Sequence, residues 1–157
     1  MALISPADQQ KLQEVFADMT RPVRLLFFTQ TIGCETCLQT RQILDELPPL
    51  SDKISIEEVN LILDADTAKA YGIDRAPAIA VTYQDASPAS AGSSDAPSVW
   101  NDSRMRFLGA PAGYEFISLV QAVLLAGGRP SALAPESRNR IASVDRAVAI
   151  QVFTTPT

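Results

Sequence analysis

The chain has 157 residues, 46% of them apolar and 20% charged, with a formal net charge of −5 at neutral pH. That composition suits one domain able to bury roughly two-thirds of its unfolded surface, and it excludes a disordered chain and a collagen-like repeat. No apolar run approaches the ~20 residues of a spanning helix, and the acidic balance argues against nucleic acid as a partner, because phosphate binding needs a basic face. Met1 to Gln10 shows no basic cluster followed by an apolar run, so no signal peptide is read and the expected location is the cytoplasm.

Ser5-Pro6-Ala7-Asp8 reads as a helix start. Ser5 can cap, Pro6 suits the first helical position, and an acid falls in the first turn. Leu12, Val15, Phe16 and Met19 follow at helical spacing, and Arg21-Pro22 ends the helix. Val23 to Thr29 is a continuous run of β-formers, as in a buried strand. Gln30 to Gly33 then lead as a loop to Cys34. Cys34 to Leu47 is predicted as a helix with Leu38, Ile43, Leu44 and Leu47 as its apolar stripe, stopped by Pro48-Pro49. Ile54 to Ile62 is a second strand, Asp64 to Tyr71 a short helix with Gly72 as its C-cap, and Ala78 to Tyr83 a third strand.

Gln84 to Ser103 is dominated by Ala, Ser, Pro, Asp and Gly and is predicted as a flexible surface loop. Within it Trp100 is read as pinning the loop, with substrate contact as the alternative, and Asp85, Asp95 and Asp102 as solvated. Met105 to Leu108 is a short strand, turned by Gly109-Ala110-Pro111. Tyr114 to Ala126 is an amphipathic helix ended by Gly127-Gly128, Glu136 to Ser143 another helix, and Ala147 to Phe153 a final strand pattern. The expected division is a domain over 1–128, interrupted by the 84–103 loop, and a helix-strand extension over 129–157.

There is no histidine, which removes the usual general base and the commonest metal ligand. The two cysteines are Cys34 and Cys37. A C-x-x-C just after an apolar strand, in a βαβ context, is a redox signature. A cysteine at a helix N-terminus has its thiolate favoured by unpaired N–H groups and the helix dipole, and a second one turn on is within bridging reach. Cys34 would attack a substrate disulfide and Cys37 would resolve the mixed disulfide. Two other readings stay open: a pair of small buried residues in a first turn, and inter-chain zinc or iron–sulfur binding, since a zinc site needs four ligands and one chain supplies half.

Leu25-Leu26-Phe27-Phe28-Thr29, Cys34-Glu35-Thr36-Cys37 and Tyr71-Gly72-Ile73-Asp74-Arg75-Ala76-Pro77 together resemble a thioredoxin-like fold. Arg106 to Phe116 is similar to the closing strand, turn and helix start of the glutaredoxin-like protein disulfide oxidoreductases, and of the related N-terminal module of the alkyl hydroperoxide reductase flavoprotein. The resemblance covers the chain outside 84–103. It implies an α/β thioredoxin-like fold, a central mixed sheet of about four strands flanked by helices, with an extra N-terminal helix and the C-terminal extension. In such relatives a cis-proline stands opposite the dithiol at the start of the third strand, and Pro77 occupies that place. There it would leave the backbone of Ala76 free to pair with an extended substrate. The alternative for Pro77 is an ordinary strand-entry proline.

Those oxidoreductases carry two such units in tandem, and Ile150 to Thr157 resembles the first strand of a second one. The reading is therefore either a trimmed chain or a naturally shortened relative. Unpaired, that strand is an association liability, so either a disordered tail or pairing between chains is expected. Glu35, between the sulfurs with Thr36, should oppose the Cys34 thiolate by like charge, giving a less depressed thiol and a more reducing couple. Arg75 offsets that charge if it faces the dithiol; otherwise it is a solvated loop residue. Two features depart from ordinary thioredoxins. Gly33, not tryptophan, precedes the first cysteine, and no acid lies in Val23–Thr29. Glu57, Glu58 or water would then accept the Cys37 proton.

The activity implied is that of a thiol–disulfide oxidoreductase acting on protein thiols and disulfides, with a thioredoxin-reductase-like flavoprotein as electron partner and no metal or organic cofactor beyond the dithiol. The rival reading is a scaffold or docking module of a tandem protein, weakly active by itself.

Overall fold

The structure is a computed structural model, and it describes residues 4–85 and 99–154. The elements run α1 (Pro6–Phe16), β1 (Val23–Thr29), α2 (Cys37–Asp45), a 3-10 turn at Pro48–Leu50, β2 (Ile54–Asn60), α3 (Ala65–Ala70), β3 (Ala78–Tyr83), β4 (Asn101–Leu108), α4 (Tyr114–Ala126) and α5 (Pro135–Ala142). Among the described residues no helix is long and apolar enough to cross a membrane.

The four strands form one mixed sheet in the order β2-β1-β3-β4. β1 runs parallel to β2 and antiparallel to β3, and β4 is antiparallel to β3. Alternation along β1 divides its side chains between two cores, which is why its sequence is apolar almost throughout. Val23, Leu25 and Phe27 join Phe16 of α1, Leu44 of α2 and Leu119, Val123 and Leu124 of α4 in the larger core. Leu26 and Phe28 face the other way, against Ala68 of α3 and Ile73.

The start of α1 forms as its sequence predicts: Ser5 Oγ accepts from the Asp8 N–H, and Pro6 opens the first turn. The far end of α4 is fastened to the entry of β1. The Thr20 and Arg21 N–H groups donate to the Gly127 carbonyl at 2.8 and 3.2 Å, and Arg21 Nε donates to the Ala126 carbonyl at 2.8 Å. These bonds satisfy carbonyls that a helix C-terminus leaves without partners.

Several boundaries differ from the sequence expectations. α2 begins at Cys37, not Cys34, and Leu38 is 71% exposed rather than part of the apolar stripe. The 84–103 loop is shorter at its far end, because β4 begins at Asn101; residues 86–98, Asp95 among them, lie outside the described residues. The missed strand residues are polar because β4 is a sheet edge with a register shift opposite Ala80–Thr82 and a positive φ at Arg104. Edge strands with bulges do not need an apolar alternation. The strand pattern of Ala147 to Phe153 is not realised either. Residues 147–153 are exposed and pair with no strand of this sheet, although their extended apolar composition suits one.

Candidate functional site

The C-terminal ends of β1 and β2 and the N-terminal end of β3 meet at one edge of the molecule. Register pairs Thr29 with Asn60 and Phe28 with Ala78, and the Gly109 N–H after β4 donates to the Pro77 carbonyl at 2.9 Å. The loops after β1, β2 and β4 and the lead-in to β3 therefore share this end. Gly33 takes a positive φ of 76°, the left-handed geometry that favours glycine, and turns the chain into Cys34.

Cys34 and Cys37 are joined by a disulfide with a Cα–Cα distance of 5.4 Å. Their environments are unequal. Cys34 is half-buried before the helix, while Cys37, the first residue of α2, is only 8% exposed and belongs to the main core. The intervening Glu35 and Thr36 are exposed. The Thr36 carbonyl accepts from both the N–H and the Oγ1 of buried Thr40 at 2.9 Å, which closes the first turn of α2. The Ala76–Pro77 peptide is cis, and half-buried Ala76 packs on the same core as Cys37 and Cys34.

α2 is tied to the sheet by Arg41, whose Nε donates to both Asp45 carboxylate oxygens at 2.8 and 3.0 Å and whose other arm pairs with Glu58 on β2. Asp45 chiefly, with Glu58, pushes the Arg41 guanidinium above its ordinary range. Glu57 pairs with Arg24 at 2.5 Å. Both carboxylates considered for the Cys37 proton are thus engaged by guanidinium groups. Arg75 forks onto the neighbouring Asp74 at 2.8 and 3.2 Å and holds that carboxyl below its usual range. Both side chains are exposed, and no bond joins Arg75 to Glu35.

Two polar clusters on the sheet have partners that the sequence did not reveal, although Trp100 was expected to act as a pin. The Arg24 guanidinium lies 4.4 Å from the centre of the Trp100 ring, so Trp100 stacks on the sheet as an anchor for the chain entering β4. Asp102, expected to be solvated, instead accepts from Arg106 at 2.6 and 2.8 Å, and that bond holds its carboxyl below the usual range. Asp85 likewise pairs with Arg21 and Asn101. An arginine inside an apolar strand run was the available signal for the first cluster. The second follows from a strand that the polar sequence concealed.

No protein-family model matches the sequence. No curated protein matches it either. Solved structures do. The N-terminal domain of the alkylhydroperoxide reductase AhpF from Enterococcus faecalis is 25% identical at a TM-score of 0.72, with 88% of this chain and 59% of that one covered. The C503A variant of AhpF from the same organism gives 26% identity and a TM-score of 0.72, covering 89% and 60%. A protein disulfide oxidoreductase from Aeropyrum pernix is 21% identical at a TM-score of 0.68, covering 88% and 54%. The chain therefore spans 54–60% of the length of these structures. With its sheet order, its flanking helices and its Cys34–Cys37 disulfide, this chain has a thioredoxin-like fold.

Proposed function

We propose that this chain is a thiol–disulfide oxidoreductase unit that exchanges electrons with protein disulfides through Cys34 and Cys37. The observation that carries the reading is the unequal burial of a bonded cysteine pair that follows β1, at the end of the sheet where β3 begins. The more accessible sulfur of Cys34 is the nucleophile. In the reduced protein its thiolate attacks one sulfur of the substrate disulfide, and the other sulfur leaves as a thiolate and takes up a proton. Cys37, deprotonated in turn, attacks the Cys34 sulfur and releases the second substrate thiol. Two electrons and two protons pass from the dithiol to the substrate.

Ala76 and Pro77 are the backbone against which an extended substrate segment rests. Glu35 and Thr36 set the electrostatics between the sulfurs, Glu35 opposing the Cys34 thiolate, and Arg75 with Asp74 adds a neutral pair at the lead-in to β3. The likeness to a domain of an alkylhydroperoxide reductase supports a thiol–disulfide partner. A flavoprotein reductase of the thioredoxin-reductase type is the electron donor we assign.

A redox titration against a dithiothreitol ladder, trapped by alkylation and read by mass, tests the reading. It expects one two-electron transition with an intramolecular disulfide. A midpoint near about −270 mV marks a reductant and one near about −120 mV a strong oxidant. Only inter-chain or metal-bound species, or peptide reduction that survives Cys34→Ser, refutes the assignment.

A further inference from the structure

We infer that the dithiol end of this molecule selects disulfides held in an extended segment with an apolar residue beside the cystine and lysine or arginine in the flanks. The inference rests on the oxidoreductase reading and adds the substrate's chemistry to it. Four large apolar side chains, Ile32, Ile62, Leu63 and Tyr114, stand between 70% and 85% exposed. Ile32 lies in the loop between β1 and Cys34. Ile62 and Leu63 follow β2, held outward by the Asn60 side-chain oxygen, which accepts from both their N–H groups at 3.0 Å. Tyr114 opens α4 after the turn that the Gly109–Pro77 bond fixes. All four therefore come to the end of the sheet that carries the cysteines, where apolar exposure of this kind marks a contact surface.

The charge at that end is predominantly negative. Glu35 lies between the cysteines, Asp64 and Asp66 follow β2, and Glu115 lies in the first turn of α4. Among the described residues none of these four has a cationic partner: Glu35 and Asp66 make no side-chain bond, Asp64 accepts from the Asn60 N–H, and Glu115 accepts from the Thr154 hydroxyl. Of the nearby cations, Arg75 is already matched by Asp74, and Lys69 in the last turn of α3 stands against Asp64, Asp66, Glu35 and Glu115, so the balance stays negative. Exposed apolar side chains at the end of the sheet that carries a reactive sulfur, with an excess of carboxylates at the same end, attract a segment with an apolar residue beside its cystine and cations in its flanks. A like-charged segment is repelled.

The experiment pre-reduces the protein with dithiothreitol, removes the reagent and follows single-turnover reduction of two peptide disulfides. Both carry leucine beside the cystine; one has lysine flanks and the other glutamate. Bis(2-hydroxyethyl) disulfide is the neutral probe. The lysine peptide is expected to react on the order of tenfold faster at low ionic strength, with the ratio collapsing toward one near ~1 M salt. Asp66→Asn with Glu115→Gln should reduce the ratio at least threefold while the rate on the neutral probe stays put. Equal rates for the two peptides, a ratio indifferent to salt, or a ratio unchanged in the double variant overturns the inference and leaves the oxidoreductase reading intact. Failure of all three disulfides to react overturns both. The salt series on the unaltered chain decides the matter even if the double variant does not fold.

Discussion

Gly128 offers a sharp test of how α4 is fastened to the sheet. Its φ is +102°, a region that residues with a Cβ rarely adopt, and a Cβ built there falls 2.1 Å from Thr20 Oγ1 and 3.5 Å from Thr20 Cβ. Thr20 can escape by rotating its hydroxyl away, but that breaks its donation to the Gly127 carbonyl at 3.3 Å. Gly128→Ala therefore carries two costs: about 1–2 kcal/mol for the positive φ and about 0.5–1.5 kcal/mol for the hydrogen bond. Stiffening the unfolded chain returns about 0.4–1 kcal/mol. The net expectation is a destabilisation of about 0.5–3 kcal/mol, read by urea unfolding at unchanged m-value. In a Thr20→Ala background the clash and the bond are both gone, so the same substitution should cost about 1 kcal/mol less. β1 separates this corner from the dithiol by about 20 Å, so peptide reduction by the folded variant should match the parent. A cost below about 0.5 kcal/mol, or the same cost in both backgrounds, would refute this account of the latch.

Three further expectations can be checked by the same unfolding assay. Leu44→Ala, at a site with no exposed surface, should cost about 2–5 kcal/mol through lost burial and the cavity it leaves; a loss under 1 kcal/mol would mean α2 is not packed as described. Arg24→Ala removes both the Glu57 pair and the stack on Trp100 and should cost about 1–2 kcal/mol, with a shift in tryptophan emission. Because Arg24 Nε is buried without a partner, Arg24→Met should cost less than Arg24→Ala. Asp102 should make stability acid-sensitive. Arg106 lowers its carboxyl in the folded state, so near pH 4 the unfolded chain binds more protons. The contribution is complete above the unfolded value of about 3.9 and is lost as pH falls through the depressed folded one. Asp102→Asn should flatten the stability curve between about pH 5 and pH 3 by up to ~1 kcal/mol, whereas parallel curves would exclude the linkage.

The elements legible in the sequence were those whose side chains enter a core. β1 declares itself because both its faces are covered, and α4 because Leu119, Val123 and Leu124 recur on one side against the sheet. The first half of β4 did not, since an edge strand bonded on one side can carry Asn101, Asp102 and Ser103, and the Ser103 hydroxyl even donates to the Val81 carbonyl at 2.6 Å. The reverse error came at Ala147–Phe153, where composition favours a strand but no sheet edge among the described residues takes it up. Local propensity proposes strands, and only a partner makes one.

The site shows the same division between chemistry and context. The C-x-x-C spacing made a bridge available to Cys34 and Cys37 whatever surrounded them, and the βαβ order put the pair at the end of a strand. What spacing could not supply was the difference in burial between the two sulfurs. That difference arises because α2 starts at Cys37, so one cysteine is buried in the core while the other, in the turn before the helix, only packs against it and stays half-exposed. On the proposed mechanism this asymmetry sets the order of events. An incoming disulfide meets the half-exposed Cys34, and the sheltered Cys37 is spared attack from solvent until a mixed disulfide brings its target within reach. Substituting Cys37 by serine should therefore leave substrate joined to Cys34 and accumulate the mixed disulfide by mass. Substituting Cys34 should leave a thiol that labels slowly because it is buried. Rapid labelling of Cys37 in Cys34→Ser would show that burial does not order the two sulfurs, and the assignment of their roles would have to rest on something else.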